Sequence, residues 1–170
     1  RFCAFCGGVT DVEAAGWVRR CRDCSREQFP RTDPAVIVAV IDPAGRILLG
    51  RNAAWPEGLY SCLAGFVEPG ESLEHAVVRE IAEESGITVT QPRYRGSQPW
   101  PFPRSLMLGY RAWAPEAGEL TLQDEEIAEA RWFSREELAA ALAADEIELP
   151  GPASMGRALI DDWYGRSAEA

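Results

Sequence analysis

The chain has 170 residues and a mass of 18.7 kDa, which suits one principal domain with a small appendage. Its formal net charge of −10 argues against a general nucleic-acid-binding surface. All 17 basic residues are arginines, which excludes mechanisms that need a lysine, and a single histidine, His75, leaves little material for nucleophilic triads.

The cysteines open the chain in two pairs, Cys3-x2-Cys6 and Cys21-x2-Cys24, separated by 14 residues. This spacing predicts a tetrahedral structural Zn²⁺ site, and four thiolates leave no position on the metal for a catalytic water. Residues 1–31 are too few to fold on a core of their own, so we expect the metal to stabilise this ribbon. The alternative is a pair of disulfides in a secreted protein, which the lack of an export signal disfavours.

The remaining elements alternate between strands and turns. Within the ribbon we predict short strands at 9–10 and 17–19; beyond it we predict strands at 35–41, 46–50, 60–64, 88–90, 94–96, 105–114 and 129–133. Cys62 is expected to be a buried apolar residue. The longest apolar run, 35–41, is far too short to cross a bilayer, so we expect a cytoplasmic protein that does not enter a membrane.

Two helices are predicted in the last part of the chain. Ser134 and Glu137 form a capping-box pattern, which predicts a helix that continues to about residue 143. A final amphipathic helix is expected at 154–164, with Met155, Ala158, Leu159 and Ile160 among its inward positions. Mixed strands with few helices predict an α+β sandwich.

A third helix carries the most informative pattern of the chain. Glu80, Glu83 and Glu84 project from it within an arc of about 100°. Each carboxylate pair repels by about 3 kcal/mol before screening, so the cluster favours a hard cation such as Mg²⁺ or Mn²⁺. Ser72 is the predicted N-cap and Gly86 the predicted left-handed end. These capping residues, together with an apolar arc formed by Val77, Val78 and Ile81, disfavour the alternative that the acidic face is merely solvated.

The full pattern is Gly65, five residues, Glu71, seven residues, then Arg79-Glu80-Ile81-Ala82-Glu83-Glu84-Ser85-Gly86-Ile87. It resembles the signature of the Nudix hydrolase superfamily at every defining position. The resemblance implies an α/β/α sandwich with a mixed sheet over residues 33–165, preceded by the zinc ribbon. It also implies metal-dependent hydrolysis of a nucleoside diphosphate linked to another moiety.

A second segment indicates which branch of the superfamily the chain resembles. It is Ser97-Gln98-Pro99-Trp100-Pro101-Phe102-Pro103-Arg104-Ser105. Its prolines predict extended backbone without internal hydrogen bonds, presenting two aromatic rings. A rigid loop with inward aromatics is the alternative, but it gives no reason for Gln98 and Ser105. The segment is similar to a motif of the NAD(H) diphosphatase branch, where a four-cysteine ribbon also precedes the Nudix domain. That branch cleaves NAD(H) to NMN(H) and AMP, and removes NAD caps from RNA.

The resemblance assigns roles to individual residues. It implies a catalytic set of Arg79, Glu80, Glu83 and Glu84, and Mg²⁺ or Mn²⁺ ligands from the same three glutamates, the Ala64 carbonyl and Glu126. One glutamate, Glu83 or Glu84, would act as general base or orient the water, and Arg79 would pair with Glu71 or Glu83. The implied substrate contacts are Phe29, Phe66, Gln98, Pro99, Trp100, Pro101, Phe102, Pro103, Arg104, Ser105 and the backbone of Gly156. Among these, Phe66 would stack on nicotinamide and Phe29 would come from the partner subunit of a homodimer.

Two departures from the pattern of this branch and two alternative functions remain. We expect the amino-terminal domain usual in the branch to be absent, and Gly16 stands where some relatives carry an acid. The first alternative is a Nudix hydrolase of another nucleoside diphosphate, such as ADP-ribose. The second is a zinc-ribbon protein that binds RNA or a partner and carries a degenerate hydrolase domain, although no metal carboxylate is lost here.

Overall fold

The computed structural model describes residues 1–122 and 126–165. They form two compact units, with the division between Thr32 and Asp33. Within the described ranges, no helix combines the length and the apolar character needed to cross a membrane.

The first unit is a small antiparallel sheet built around the cysteine pairs. Its strands are β1 (Thr10–Glu13), β2 (Val18–Cys21) and β3 (Glu27–Gln28), in the order β1-β2-β3. Thr10 lies opposite Cys21, so the β1–β2 pairing fixes one end of the second cysteine pair. Both strands begin one residue later than predicted, because Val9 makes only an isolated bridge to Phe2 and because Trp17 ends a short 3-10 turn, Ala14–Gly16, that separates β1 from β2.

The second unit is a six-stranded mixed sheet with helices on both faces, which confirms the predicted α+β class. Its strands are β4 (Asp33–Ile41), β5 (Ile47–Asn52), β6 (Leu63–Phe66), β7 (Thr90–Trp100), β8 (Ser105–Trp113) and β9 (Ile127–Phe133), and its helices are α1 (Leu73–Ser85), α2 (Arg135–Ala143) and α3 (Met155–Tyr164). The strand order is β7-β8-β4-β5-β9, with β6 paired to β4. Strands β4 and β8 run parallel, whereas the other neighbours are antiparallel.

Strand β4 forms the centre of the core. Val36, Val38 and Val40 belong to a cluster with α1, and the alternate residues belong to a cluster with α2 and α3. Because helices cover both faces, β4 reads as a continuous apolar run rather than as an alternating one. The structure also buries Cys62, as predicted.

Three sequence expectations about elements were wrong. The strand predicted at 60–64 begins at Leu63, and residues 60 and 61 make only isolated backbone bonds to Glu148 and Gly50. The strands predicted at 88–90 and 94–96 are one irregular strand, β7, because β8 pairs along its length. On α3, Ala158 is exposed, whereas Gly156, Arg157 and Trp163 are buried.

The proline-aromatic segment, residues 97–105, was expected to be extended without internal backbone hydrogen bonds, but part of it is a paired strand. Gln98, Pro99 and Trp100 belong to β7 and lie opposite Met107, Leu106 and Ser105 of β8. Strand β7 lies at the edge of the sheet, where proline is tolerated because one side of the strand has no neighbour to bond.

Candidate active site

The four cysteines of the first unit form one tight cluster. The Sγ of Cys6 lies 3.5 Å from that of Cys21 and 3.6 Å from that of Cys24, and the Cys3 and Cys24 sulfurs are 3.8 Å apart. Tetrahedral zinc with Zn–S bonds of about 2.3 Å requires sulfurs about 3.8 Å apart. Backbone N–H groups of Cys6 and Phe5 lower the pKa of the Cys3 thiol to about 7, whereas the neighbouring Cys21 and Cys24 thiols raise the pKa of Cys6 to about 12, so a bound cation is needed to hold all four as thiolates. The cluster therefore supports structural zinc.

In the second unit, the turn between β6 and α1 places the acidic face of the helix over the strand. Ser72 caps α1 by accepting a hydrogen bond from the His75 N–H, and Gly86 ends it with φ of 73°. The Glu80 carboxyl fills the space where a Cβ on residue 65 would lie, so any larger residue there would displace this carboxyl. Partial burial raises the pKa of Glu80, although the adjacent Arg79 opposes this shift. The sequence predicted both ends of this helix.

Arg79 organises the acids around this turn. Its Nε and Nη2 donate to the two Glu71 oxygens at 2.8 Å, and Nη2 also donates to the Phe66 carbonyl at 3.0 Å. Its Nη1 lies 2.8 Å from Glu83 and 2.9 Å from Glu80. The sequence predicted a pairing with Glu71 or Glu83, and the structure has both. Hydrogen bonds from Arg79 and from the Glu68 N–H hold the pKa of Glu71 at about 2.

Three adjoining cavities meet at Ala64. The acidic cavity, of about 420 Å³, is lined by Phe66, Arg79, Glu80, Ser105 and Glu126, among others. The small cavity, of about 120 Å³, is lined by Asn52, Trp55, Glu84 and Glu126, among others. The tryptophan cavity, of about 550 Å³, is lined by Trp55, Trp100, Gln98, Met107, Leu149 and Gly156, among others. Ala64 lines all three cavities.

Glu126 reaches this junction from a distant part of the chain. The Asn52 Nδ2 donates to its Oε1 at 3.2 Å, and the Ala53 N–H donates to its backbone carbonyl at 2.7 Å. A break in the β5–β9 pairing lies next to Asn52. The end of β5 thus positions a carboxylate between the acidic cavity and the small cavity.

The donor set at this junction suits a hard divalent cation. Glu80 and Glu126 line the acidic cavity, while Glu84, only 3% exposed, faces Glu126 across the small cavity. Carboxylate and backbone carbonyl oxygens are the ligands that Mg²⁺ and Mn²⁺ prefer. Within the described residues, only the four cysteines are gathered as tightly as metal ligands. The glutamates must therefore draw together to bind a cation, and Glu83, with its side chain 54% exposed, is turned to Arg79.

The predicted substrate residues divide into three groups. Phe66 and Ser105 line the acidic cavity, whereas Gln98, Trp100 and Gly156 line the tryptophan cavity. Five others are exposed and line neither cavity: Pro99, Pro101, Phe102, Pro103 and Arg104. Arg104 instead pairs with Asp33 at 2.8 Å. Phe29 belongs to the first unit, where it directly follows β3 and is exposed.

Sequence reasoning missed Asn52, Trp55, Met107 and Leu149, which line these cavities. An asparagine at the end of a strand and a tryptophan in the loop after it have no periodicity that would mark them as site residues. The Trp55-Pro56 pair, an aromatic ring on restricted backbone, was the one available signal.

Residues 31–150 match the NUDIX domain family. The chain belongs to the Nudix family. Residues 1–29 match a second family, the NADH pyrophosphatase zinc ribbon domain, so both predicted modules are present in the predicted order. The carboxylates on α1 are thus those of a Nudix signature, and the cysteine cluster is that of its zinc ribbon.

Named relatives of this Nudix chain are NAD-capped RNA hydrolases. The NudC protein of Mycobacterium bovis is 52% identical over 171 residues, which cover 96% of this chain and 55% of that protein. The human NUDT12 protein is 41% identical over 175 residues, which cover 96% of this chain and 38% of that protein. The chain therefore spans about half the length of its mycobacterial relative.

A solved structure shares the Nudix fold. A NUDIX hydrolase from Nitrosomonas europaea superposes with a TM-score of 0.72 at 20% identity, covering 98% of this chain and 94% of that one. At this level of identity the likeness shows the fold alone.

Proposed function

We propose that this protein hydrolyses the pyrophosphate bond of NAD(H) to give NMN(H) and AMP, and that it removes NAD caps from RNA. The observation that carries the proposal is the junction at Ala64, where an acidic cavity meets a larger, mainly apolar cavity. A dinucleotide has this layout, because a charged pyrophosphate lies between two nucleosides. The names of the relatives and the match to an NADH pyrophosphatase ribbon support the same substrate.

The proposed ligands of Mg²⁺ or Mn²⁺ are Glu80, Glu84, Glu126 and the Ala64 carbonyl. Glu83 lies near them on the same helix, α1. When bound, such an ion neutralises the pyrophosphate oxygens and makes water more acidic. The Glu80 carboxyl is held against Gly65, and Arg79 fixes one oxygen of Glu83, so both carboxylates are oriented before substrate arrives.

The chain's own residues move the proton and position the substrate in this proposal. Glu83 or Glu84 accepts the proton of the water that attacks phosphorus, and the P–O bond to the bridging oxygen breaks. Phe66, 59% exposed at the edge of the acidic cavity, offers a free ring face on which nicotinamide stacks.

Three further proposals concern the assembly and its environment. Zinc stabilises the ribbon without taking part in the reaction, because four thiolates fill its coordination shell. The protein forms a homodimer in which Phe29 reaches the partner's site, as in the branch that it resembles. Its location is the cytoplasm, where the four ligand cysteines remain reduced.

One assay tests the proposed function. The protein is incubated with NADH and with NAD-capped RNA, each with Mg²⁺, with Mn²⁺ and with EDTA, and the products are separated by chromatography. We expect NMNH and AMP from NADH and a 5′-monophosphate RNA from the capped RNA, with no reaction in EDTA. Faster hydrolysis of ADP-ribose than of NADH would favour the first alternative, and metal-independent RNA binding without hydrolysis would favour the second.

A further inference from the structure

The tryptophan cavity has walls suited to a planar ring. Trp55 and Trp100 both line it, and each side chain is 40% exposed rather than packed in the core. Leu149, Met107 and Met155 supply further apolar surface. A volume of about 550 Å³ lies within the range of about 300–1,000 Å³ usual for small-molecule sites.

Two polar side chains of this cavity, Gln98 and Ser154, form hydrogen bonds within the fold. The Gln98 amide oxygen accepts from the Met155 N–H at 2.8 Å, and its NH₂ group donates to the Ala153 carbonyl. The Ser154 hydroxyl caps α3 by accepting from the Arg157 N–H at 3.2 Å. These bonds hold the wall in place and leave stacking as the main means of recognition.

The loop after β5 links this wall to the acidic junction. The Asn52 side chain holds Glu126 and also accepts from the Ala54 N–H at 2.9 Å, and its carbonyl accepts from the Trp55 N–H at 3.0 Å. Trp55 lines both the tryptophan cavity and the small cavity that contains Glu84. A ring stacked on Trp55 would therefore lie beside the pyrophosphate, on the side away from Phe66.

We propose that the tryptophan cavity receives the planar base of one nucleotide half of the substrate, stacked on Trp55, while the other half lies in the acidic cavity with Phe66. This inference rests on the proposed function and assigns Trp55 as a substrate-binding residue. Because the proposed function stacks the nicotinamide on Phe66, the base in the tryptophan cavity is the adenine of the AMP half, and its flat ring suits stacking on Trp55.

Binding of the two product halves tests this assignment without turnover. Wild type, W55A and W55F are titrated with AMP and with NMN in MgCl₂ by calorimetry. We expect W55A to weaken AMP binding at least about fivefold, the low end of the effect of a lost aromatic stack, to leave NMN binding near wild type, and W55F to stay near wild type for both. Loss of NMN affinity with unchanged AMP affinity would place the nicotinamide in this cavity and overturn the assignment.

Two further variants separate stacking from folding. W100A alters the other tryptophan wall and should weaken the same nucleotide. Y94A removes an exposed aromatic side chain of β7 that does not line the tryptophan cavity, and should leave both affinities unchanged. Equal affinities of W55A and wild type for both nucleotides would overturn the inference, as would equal losses for both accompanied by a lower Tm.

NADH hydrolysis distinguishes this inference from the proposed function. If wild type cleaves NADH while W55A binds both halves normally, only the tryptophan assignment fails. If wild type does not cleave NADH but W55A loses one nucleotide, the proposed function fails and the base-binding cavity stands.

Discussion

Gly65 and Glu80 share one small space between β6 and α1, because the Glu80 carboxyl lies where a Cβ on residue 65 would be. The backbone of Gly65 does not require glycine, since its φ lies outside the left-handed region. The glycine is therefore needed for space. This contact brings the helix close enough to the strand for Glu80 and Ala64 to line the same cavity.

The first prediction follows from that contact. In G65A the new methyl group should displace the Glu80 carboxylate, lowering kcat on NADH by about 10-fold or more and weakening Mn²⁺ binding, the scale of a disturbed metal-site residue. Steady-state kinetics and Mn²⁺ titration measure both. G118A, where the added methyl meets only ordinary contact with Ile87, is the matched control and should behave as wild type. Wild-type Mn²⁺ affinity in G65A would contradict the argument.

Loss of a charged oxygen on α1 should abolish most activity. We expect E84Q to lower kcat at least about 10²-fold while the fold persists, since the change removes a carboxylate charge without changing side-chain volume. E83Q, made in parallel, identifies the base: the variant whose pH–rate profile loses the acidic limb, along which the rate rises as the base is deprotonated, has lost that base. Unchanged turnover in E84Q would refute its assignment.

Arg79 should not be replaceable by lysine. Its guanidinium contacts Glu71, Glu80, Glu83 and the Phe66 carbonyl together, and a single ammonium group cannot reproduce that fork. We expect R79K to lower kcat/KM on NADH by about 10- to 100-fold. R93K, at an exposed arginine of β7, is the control. Equal kcat/KM values for R79K and wild type would show that charge alone suffices.

The Glu71–Arg79 pair predicts a pH dependence of stability. Folding lowers the pKa of Glu71 from 4.5 to about 2, so the pair stabilises the fold fully above about pH 4.5 and loses this contribution as the pH falls towards 2. The difference in Tm between wild type and E71Q should therefore shrink over this interval. In an R79A background the same comparison should show a smaller pH dependence, because the Arg79 hydrogen bonds are the largest cause of the shift and only the weaker Glu68 N–H bond remains. A wild-type–E71Q gap constant down to pH 2 would contradict the pairing.

Zinc removal should expose four thiols and leave the fifth protected. Elemental analysis should find one zinc per chain, and a strong chelator should make Cys3, Cys6, Cys21 and Cys24 reactive towards a thiol reagent. Burial raises the pKa of the Cys62 thiol to about 12, so Cys62 should react only after denaturation. Detection of two disulfides in the native protein would exclude the zinc site.

Local patterns predicted some elements because the signal lies within a few residues. Ser72 and Gly86 cap and end α1 through bonds and torsions of neighbouring residues, and Ser134 with Glu137 forms the capping box of α2. Strand β7 was mispredicted for the opposite reason. Its prolines and its left-handed Gln91 disfavour a strand locally, but pairing with β8 outweighs that preference.

The sequence by itself determined which side chains could bind metals, because both patterns lie within short stretches of the chain. These patterns are the spacing of Cys3, Cys6, Cys21 and Cys24 and the helical period of Glu80, Glu83 and Glu84. Only the tertiary structure decided where those side chains act. The break in pairing beside Asn52 brings Glu126 to the α1 acids, and the loop after β5 places Trp55 in the wall of a second cavity. Such placements depend on contacts between residues far apart in the chain, and no short pattern encodes them.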